Sequence, residues 1–340
     1  PVCASDDRYA DDAHYMGGCL LNENLIWGSV LLTYNACPPD PEIVGQGWRE
    51  QWLNRLENSA IFPEVWLRHQ RRDGYWQHGS VCEDYSQIEC PVYAIGGWAD
   101  AYTNAIPRLL AGLAGLEKLN LQVTRVGDLG MDSLKGLTGL KELDLSLTTV
   151  SDVGLEKFAG LAKLEVLKLE GTLVEGRALA GFTGLAGLRE LHLGGSRIDD
   201  RALVHIAKMS SLRYLRVSHS DITDEGFQQI AALKGLEVLD VTGTDLGDTA
   251  LDHMAGLTNL RELYLSFSRF TDEGLPALKN LQKLERIEMF RTRTGNAGVA
   301  AIAALKNLSV LNLDYTSVDD EALEQLQTLP KLQELSLDST

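Results

Sequence analysis

The sequence predicts an α/β solenoid, a parallel sheet laid down one strand at a time with a helix returning between strands, preceded by a shorter segment of a different kind. From Leu113 onward a 24-residue unit recurs without insertion or deletion, starting at Leu113, Leu137, Leu161, Leu185, Met209, Leu233, Leu257, Leu281, Leu305 and Leu329. That makes nine whole units and a half unit, and a fixed period of this size marks stacked repeats, because no single unit can bury its apolar face alone. The leucines inside the unit are spaced three, three and two apart, which fits no helix face. Composition also shifts abruptly: all six Trp and all five Cys precede residue 99, while Lys118 is the first lysine. Two domains follow, residues 1–112 and 113–340.

In the first segment, residues 1–19 mix carboxylates and aromatics without periodicity. Asp6, Asp7, Asp11, Asp12 and His14 cluster there, but carboxylates on a solvated loop or helix face are far commoner than a metal site, and no metal is expected. LNENLIWGSVLLTYN is apolar enough to be buried, and Cys37-Pro38-Pro39-Asp40-Pro41 breaks the chain. A helix should start near Asp40 with Pro41 at its first position and Trp48, Trp52, Leu53 and Leu56 on one face. A second helical stretch runs from Phe62 through Trp66 and His69. His69 and His78, flanking RRDGYW, read as packed or exposed side chains. Val92 to Ile95 reads as a short buried strand with a Gly96-Gly97 exit, which puts Asp100 just beyond its C-terminal end, where open α/β sheets place ligand and catalytic groups.

The stretch PVYAIGGWADAYTNAIPRLL resembles the serine hydrolases of the cocaine esterase and X-Pro dipeptidyl peptidase family of α/β-hydrolases. DDRYADDAHYMGG and HQRRDGYW resemble that family's segment after the nucleophile and its helical cap, so the resemblance spans most of residues 5–112. It implies that Asp100 is the acid of a catalytic triad, orienting a histidine. The family's nucleophile elbow should lie upstream of Pro1, and its histidine should follow the acid within a few tens of residues. Neither is found: Ser29 and Ser80 lack the strand–turn–helix setting of a nucleophile elbow. A triad acid alone activates nothing, so this incomplete, mostly helical hydrolase fragment is expected to be inactive. The alternative is a serine hydrolase of which only part is present.

The repeat unit, written from Leu257 as LTNLRELYLSFSRFTDEGLPALKN, can be read position by position. Positions 1, 4, 7 and 9 are apolar, and 7 and 9 alternate with polar 6, 8 and 10, the signal of a short strand with one buried face. Position 12 is Thr or Ser throughout, from Thr124 to Thr340, and reads as an inward ladder of hydroxyls satisfying buried turn groups. Position 16 is nearly always Asp, as in Asp128, Asp152, Asp200, Asp224, Asp248, Asp272 and Asp320, and reads as the N-cap of the return helix. Position 18 is always Gly or Ala, which would let that helix lie close to the sheet.

LxxLxLxx[TS] followed by a TDEGL-like turn resembles a leucine-rich repeat, most nearly the cysteine-containing subtype with Thr or Ser in place of Cys. The resemblance covers residues 113–340. It implies a curved solenoid with strands on the concave side and helices on the convex side, used mostly as a binding surface for a protein or peptide.

A net charge of −17 excludes nucleic acid and an anionic membrane as main partners. No apolar run is long enough to span a membrane, and no signal peptide opens the chain. The chain begins at Pro1 without Met, which points to a fragment. Five cysteines without a CxxC spacing fit neither a zinc site nor an even disulfide set, so a reduced, cytoplasmic protein is expected, with no cofactor.

In such a solenoid, unit positions 6, 8, 10 and 11 point out of the sheet. Position 8 mixes charges, whereas larger groups gather in the later units: Tyr214, Arg216 and His219, then Tyr264 and Phe267, then Arg286, Phe290 and Arg291, then Tyr315. Exposed Tyr, Phe and Arg most often anchor interfaces, so these nine residues are the candidate binding set. Unit eight departs from the pattern at Met289, Thr294 and Asn296.

Overall fold

A computed structural model of the chain describes residues 115–340 apart from 159 and, earlier, residues 15–16, 19–20, 36–58, 64–65, 68–69 and 73–78. The chain divides into two compact units, Pro1–Leu113 and Ala114–Thr340.

In the first unit, strands β1 (Tyr15–Met16) and β2 (Cys19–Leu20) pair antiparallel. The helix expected at Asp40 forms: Asp40 is its N-cap, accepting from the Glu42 N–H, and Pro41 opens α1 (Pro41–Val44). A turn of 3₁₀ helix, Gly45–Gly47, leads into α2 (Trp48–Asn58). Trp48 and Trp52 stack, with centroids 6.1 Å apart, but Leu53 and Leu56 of the expected face stand exposed. The short α3 (Gly74–His78) follows, and His69 shares a contact of 2.7 Å with Asp73 and stacks on Tyr75. Cys37 is a free thiol. Asp100, the strand before it, Ser29, Ser80 and the acidic cluster of residues 6–14 lie outside the described residues.

The second unit is a ten-stranded parallel sheet in sequence order. Its strands are β3 (Lys118–Asn120), β4 (Glu142–Asp144), β5 (Val166–Lys168), β6 (Glu190–His192), β7 (Tyr214–Arg216), β8 (Val238–Asp240), β9 (Glu262–Tyr264), β10 (Arg286–Glu288), β11 (Val310–Asn312) and β12 (Glu334–Ser336). Each residue pairs with the one 24 positions on, as in Leu215 with Leu239 and Leu263 with Ile287, so the sequence period and the sheet register are the same quantity. Position 7 faces inward: Leu143, Leu191, Leu239 and Ile287 are fully buried. The core lies between this face and the return segments, where position 22 contributes Phe158, Phe182 and Ile206 and position 19 contributes Leu155, Leu203 and Phe227. Some return segments are α-helical, such as α5 (Asp200–Ile206) after α4 (Asp152–Leu155). Others are 3₁₀, such as Arg177–Gly184 and Leu275–Asn280.

Two side-chain expectations are corrected by the structure. The position-16 Asp is not the N-cap of its own helix. That place falls to position 15, where Ser151, Asp199 and Asp319 accept from the N–H two residues on. The Asp instead reaches forward into the next unit: Asp248 accepts from the Thr271 N–H at 2.8 Å and from its hydroxyl at 2.7 Å, and Asp200 does the same with Thr223. These carboxylates therefore staple unit to unit, meeting backbone donors at a helix start, where the dipole favours negative charge. Position 18 is small for the same reason: a Cβ on Gly274 would come within 2.6 Å of the Asp248 carboxylate. The position-12 hydroxyls do face inward, but most close their own turn. Thr148, Thr172 and Thr244 donate to the carbonyl three residues back at 2.6–2.7 Å.

Unit eight keeps the common register despite its substitutions. Thr294 is fully buried with its hydroxyl 2.9 Å from that of Thr292, and Asn296 still accepts from the Asp319 N–H at 3.1 Å.

Candidate protein-binding surface

Each strand leaves the sheet through the same backbone conformation. Position 11 is left-handed in all ten units, with φ between 53° and 68°, at Val123, Leu147, His219, Phe267, Arg291, Tyr315 and Ser339 as well as at Gly171, Gly195 and Gly243. For a residue with a Cβ this costs on the order of 1–2 kcal/mol. The conformation lets the position-11 N–H continue the sheet ladder, as from Phe267 to the Phe290 carbonyl at 2.8 Å, a bond contributing about 1 kcal/mol. It also turns position 12 inward and leaves the position-11 side chain along the sheet's exit edge. Two of the three glycines are then explained by their neighbours. A Cβ at Gly171 would meet the Leu147 side chain at 2.6 Å, and one at Gly243 the His219 ring at 2.3 Å. His219 thus lies over Gly243.

The nine candidate residues do not form one site. On the sheet face, Tyr214 and Arg216 join residues that the sequence reading left out. Arg216 pairs ionically with Asp240, whose carboxylate lies 2.9 Å from Nε, donates from Nε to the Ser218 hydroxyl at 3.1 Å, and donates from Nη1 to Glu170, two strands away, at 2.9 Å. It can reach that far because Gly194 lies between: a Cβ there would meet the Ser218 hydroxyl at 2.6 Å and Arg216 Nε at 3.4 Å. His192 stacks on Tyr214 with centroids 4.4 Å apart, and its ring nitrogens lie 3.7 Å from Glu170 and 3.6 Å from Glu190. Its Nε2 is buried without a hydrogen-bond partner among the described residues. Burial lowers the His192 pKa, and the two glutamates oppose that shift. Burial likewise raises the Tyr214 hydroxyl.

Tyr264 and Arg286 are each tied to a neighbour on their own strand. The Tyr264 hydroxyl donates to Glu262 at 2.6 Å, and burial followed by that carboxylate pushes its pKa well up. Arg286 is held at 2.7 Å by Glu288, which raises its pKa further.

The remaining four candidates come together at the exit edge. Phe267 and Phe290 are tilted rings with centroids 4.9 Å apart, and Phe290 meets Tyr315 edge-on at 5.2 Å. The Arg291 guanidinium carbon lies 5.8, 5.4 and 5.0 Å from the centroids of Phe267, Phe290 and Tyr315. Phe267 and Tyr315 remain 49% and 43% exposed, so this is an open aromatic platform rather than packing sealed from water.

Among the described residues no group of His, Cys, Asp and Glu is arranged to hold a metal ion, and no helix is long and apolar enough to cross a membrane.

Comparison with known proteins agrees with this architecture. Residues 114–174 match the leucine-rich repeat family, and residues 177–340 match the leucine-rich repeat region. Residues 1–125 match the X-Pro dipeptidyl-peptidase (S15) family, overlapping the first repeat match. No curated protein matches the chain. Similar solved structures include an internalin (inlF) of Listeria monocytogenes, 21% identical, with a TM-score of 0.51, covering 71% of this chain and 84% of that one. Another, internalin C2 of the same organism, is 24% identical with a TM-score of 0.47, covering 61% and 83%. The plant peptide hormone receptor RGFR1, solved in complex with RGF2, is 15% identical with a TM-score of 0.46, covering 68% and 41%. With its two repeat matches and a ten-stranded parallel sheet in 24-residue register, the part of this chain from residue 114 to residue 340 is built of leucine-rich repeats, and the segment in front of them matches the S15 family.

Proposed function

We propose that the repeats form a scaffold that binds a protein or peptide on the concave, strand-bearing side, with its anchors at the exit edge of β9 to β11. The observation that carries this reading is the platform of Phe267, Phe290 and Tyr315 around Arg291. Phe267 and Tyr315 stand half-exposed on a backbone conformation that disfavours them, where units three, four and six carry glycine. Partly exposed aromatic and Arg side chains on a rigid base lose little conformational freedom on binding and dominate interface energetics. The test is to pan a random dodecapeptide display library on the immobilised full chain and on the Phe267→Ala/Tyr315→Ala double variant. Peptides enriched on the first and lost on the second support the reading. No enrichment, or equal enrichment on both, rejects it.

The match of residues 1–125 to the X-Pro dipeptidyl-peptidase family favours a second reading, a serine hydrolase. By the family resemblance Asp100 would be its triad acid. We propose that residues 1–340 do not act as a hydrolase by themselves, since neither Ser29 nor Ser80 has the strand–turn–helix setting of a nucleophile elbow and the first histidine after Asp100 is His192, inside the repeats. A fluorophosphonate probe is expected to leave the full chain unlabelled. Labelling at a single serine would establish the hydrolase reading instead.

A further inference from the structure

Resting on the binding reading above, we propose that the exit-edge platform selects an acidic segment of its protein partner. A Glu or Asp carboxylate would bond the edge of the Arg291 guanidinium, and a neighbouring aromatic or aliphatic side chain would lie against Phe267 and Tyr315.

The reasoning starts from the geometry of the guanidinium group. Its π faces stack on rings, while its N–H donors lie in the plane and fit a carboxylate two at a time. Arg291 has three rings within 5.8 Å. Its side-chain donors make no hydrogen bond or ion pair with any described residue; its backbone N–H alone is engaged, by the Asp314 carbonyl. The rings therefore fix the cation in place without meeting its hydrogen-bonding capacity.

The nearby charges leave that capacity open. Arg286 is held by Glu288 and Arg269 by Asp245. Asp314, beside Tyr315, turns its carboxylate to the Asp338 N–H at 2.6 Å. A basic partner would be repelled at this point, and a neutral one covering the platform would strip water from unmet cationic donors, which costs about 1–3 kcal/mol. An acidic segment meets them and buries the rings in one step. The net charge of −17 opposes the approach of acidic chains at long range, so recognition depends on the short-range contact, where screening matters least.

The experiment uses the same dodecapeptide library on the full chain. The expected result is enrichment of peptides with Asp or Glu within two residues of Phe, Tyr, Trp or Leu. One such peptide, fluorescently labelled, is then titrated by anisotropy. Replacing its acid with the amide should weaken binding about tenfold to the native chain, the loss of one charge-assisted pair. To the Arg291→Gln variant the same replacement should change affinity less than about twofold, because the coupling partner is gone. The Arg291→Lys variant, with charge but no planar edge, should fall between. Two outcomes overturn the inference while leaving the binding reading intact. One is that enriched peptides need Phe267 and Tyr315 but are neutral or basic. The other is that the acid-to-amide change costs as much on Arg291→Gln as on the native chain. If no peptide is enriched at all, the binding reading itself falls, and this inference with it.

Discussion

Arg216 and Arg291 stand three units apart in one continuous sheet, and each is surrounded by aromatic and polar neighbours. Around Arg216, Nε and Nη1 both find partners within the sheet: Glu170 on one side, Asp240 and Ser218 on the other, with His192 and Tyr214 stacked alongside. Around Arg291 the contacts are rings, and the donors are left to solvent. A cation whose hydrogen bonds close within the chain ties strands together and has little left to offer a partner. A cation held only by its faces contributes little to stability and keeps its most directional chemistry free. The two regions thus divide architecture from recognition, and the difference lies in bonding capacity rather than in residue type.

The sharpest way to break this division is to remove each arginine in turn. Arg216→Ala leaves Asp240, whose side chain is 9% exposed, with the Thr242 N–H but without its counter-charge, and frees Glu170, so the repeat domain should lose on the order of 2 kcal/mol. Arg291→Ala removes an exposed cation–π contact and should cost about 0.5–1 kcal/mol. Urea denaturation followed by circular dichroism measures both. The peptide panning above should rank them the other way, with Arg216→Ala retaining the peptides that Arg291→Ala loses. If both variants lost stability equally, or if Arg216→Ala abolished peptide enrichment while folded, the two regions would be one site and the contrast would collapse.

Much of this was legible before any coordinates, and the parts that were not share a cause. The strand positions, the buried Leu at position 7 and the 24-residue register follow from the apolar spacing, because side chains one period apart meet across neighbouring strands. The role of Asp248 was misplaced because its partner, Thr271, lies 23 residues on, while capping rules look only within the same helix. The reach of Arg216 to Glu170 crosses 46 residues and depends on the missing side chain of Gly194. The left-handed row at position 11 was invisible because only three of its ten residues are Gly. Sequence reasoning detects that conformation mainly through Gly or Asn; here the parallel ladder imposes it on Val, Leu, His, Phe, Arg and Tyr alike.

A smaller effect separates the regions by pH. His192 lies beside Arg216 and faces Glu170, Glu190, Lys168 and Tyr214, with burial as the leading influence on its pKa and the carboxylates opposing it. The folded-state value is therefore below the ordinary 6.5. Above that value the ring is neutral in both the folded and unfolded chain, and stability is fully present. As pH falls through 6.5 the unfolded chain takes up a proton that the native ring resists, so stability declines until the lower, folded-state pKa is passed. The native chain should accordingly lose more stability between about pH 7.5 and 5.5 than His192→Gln does, by an amount smaller than the Arg216 effect. The other histidines are common to both proteins, so the difference between the two urea midpoints reports His192 alone. Had the flanking glutamates outweighed burial, the sign would reverse, and acidification would stabilise the native chain relative to His192→Gln. That outcome would make His192 a third partner in the charged network rather than a ring buried beside it.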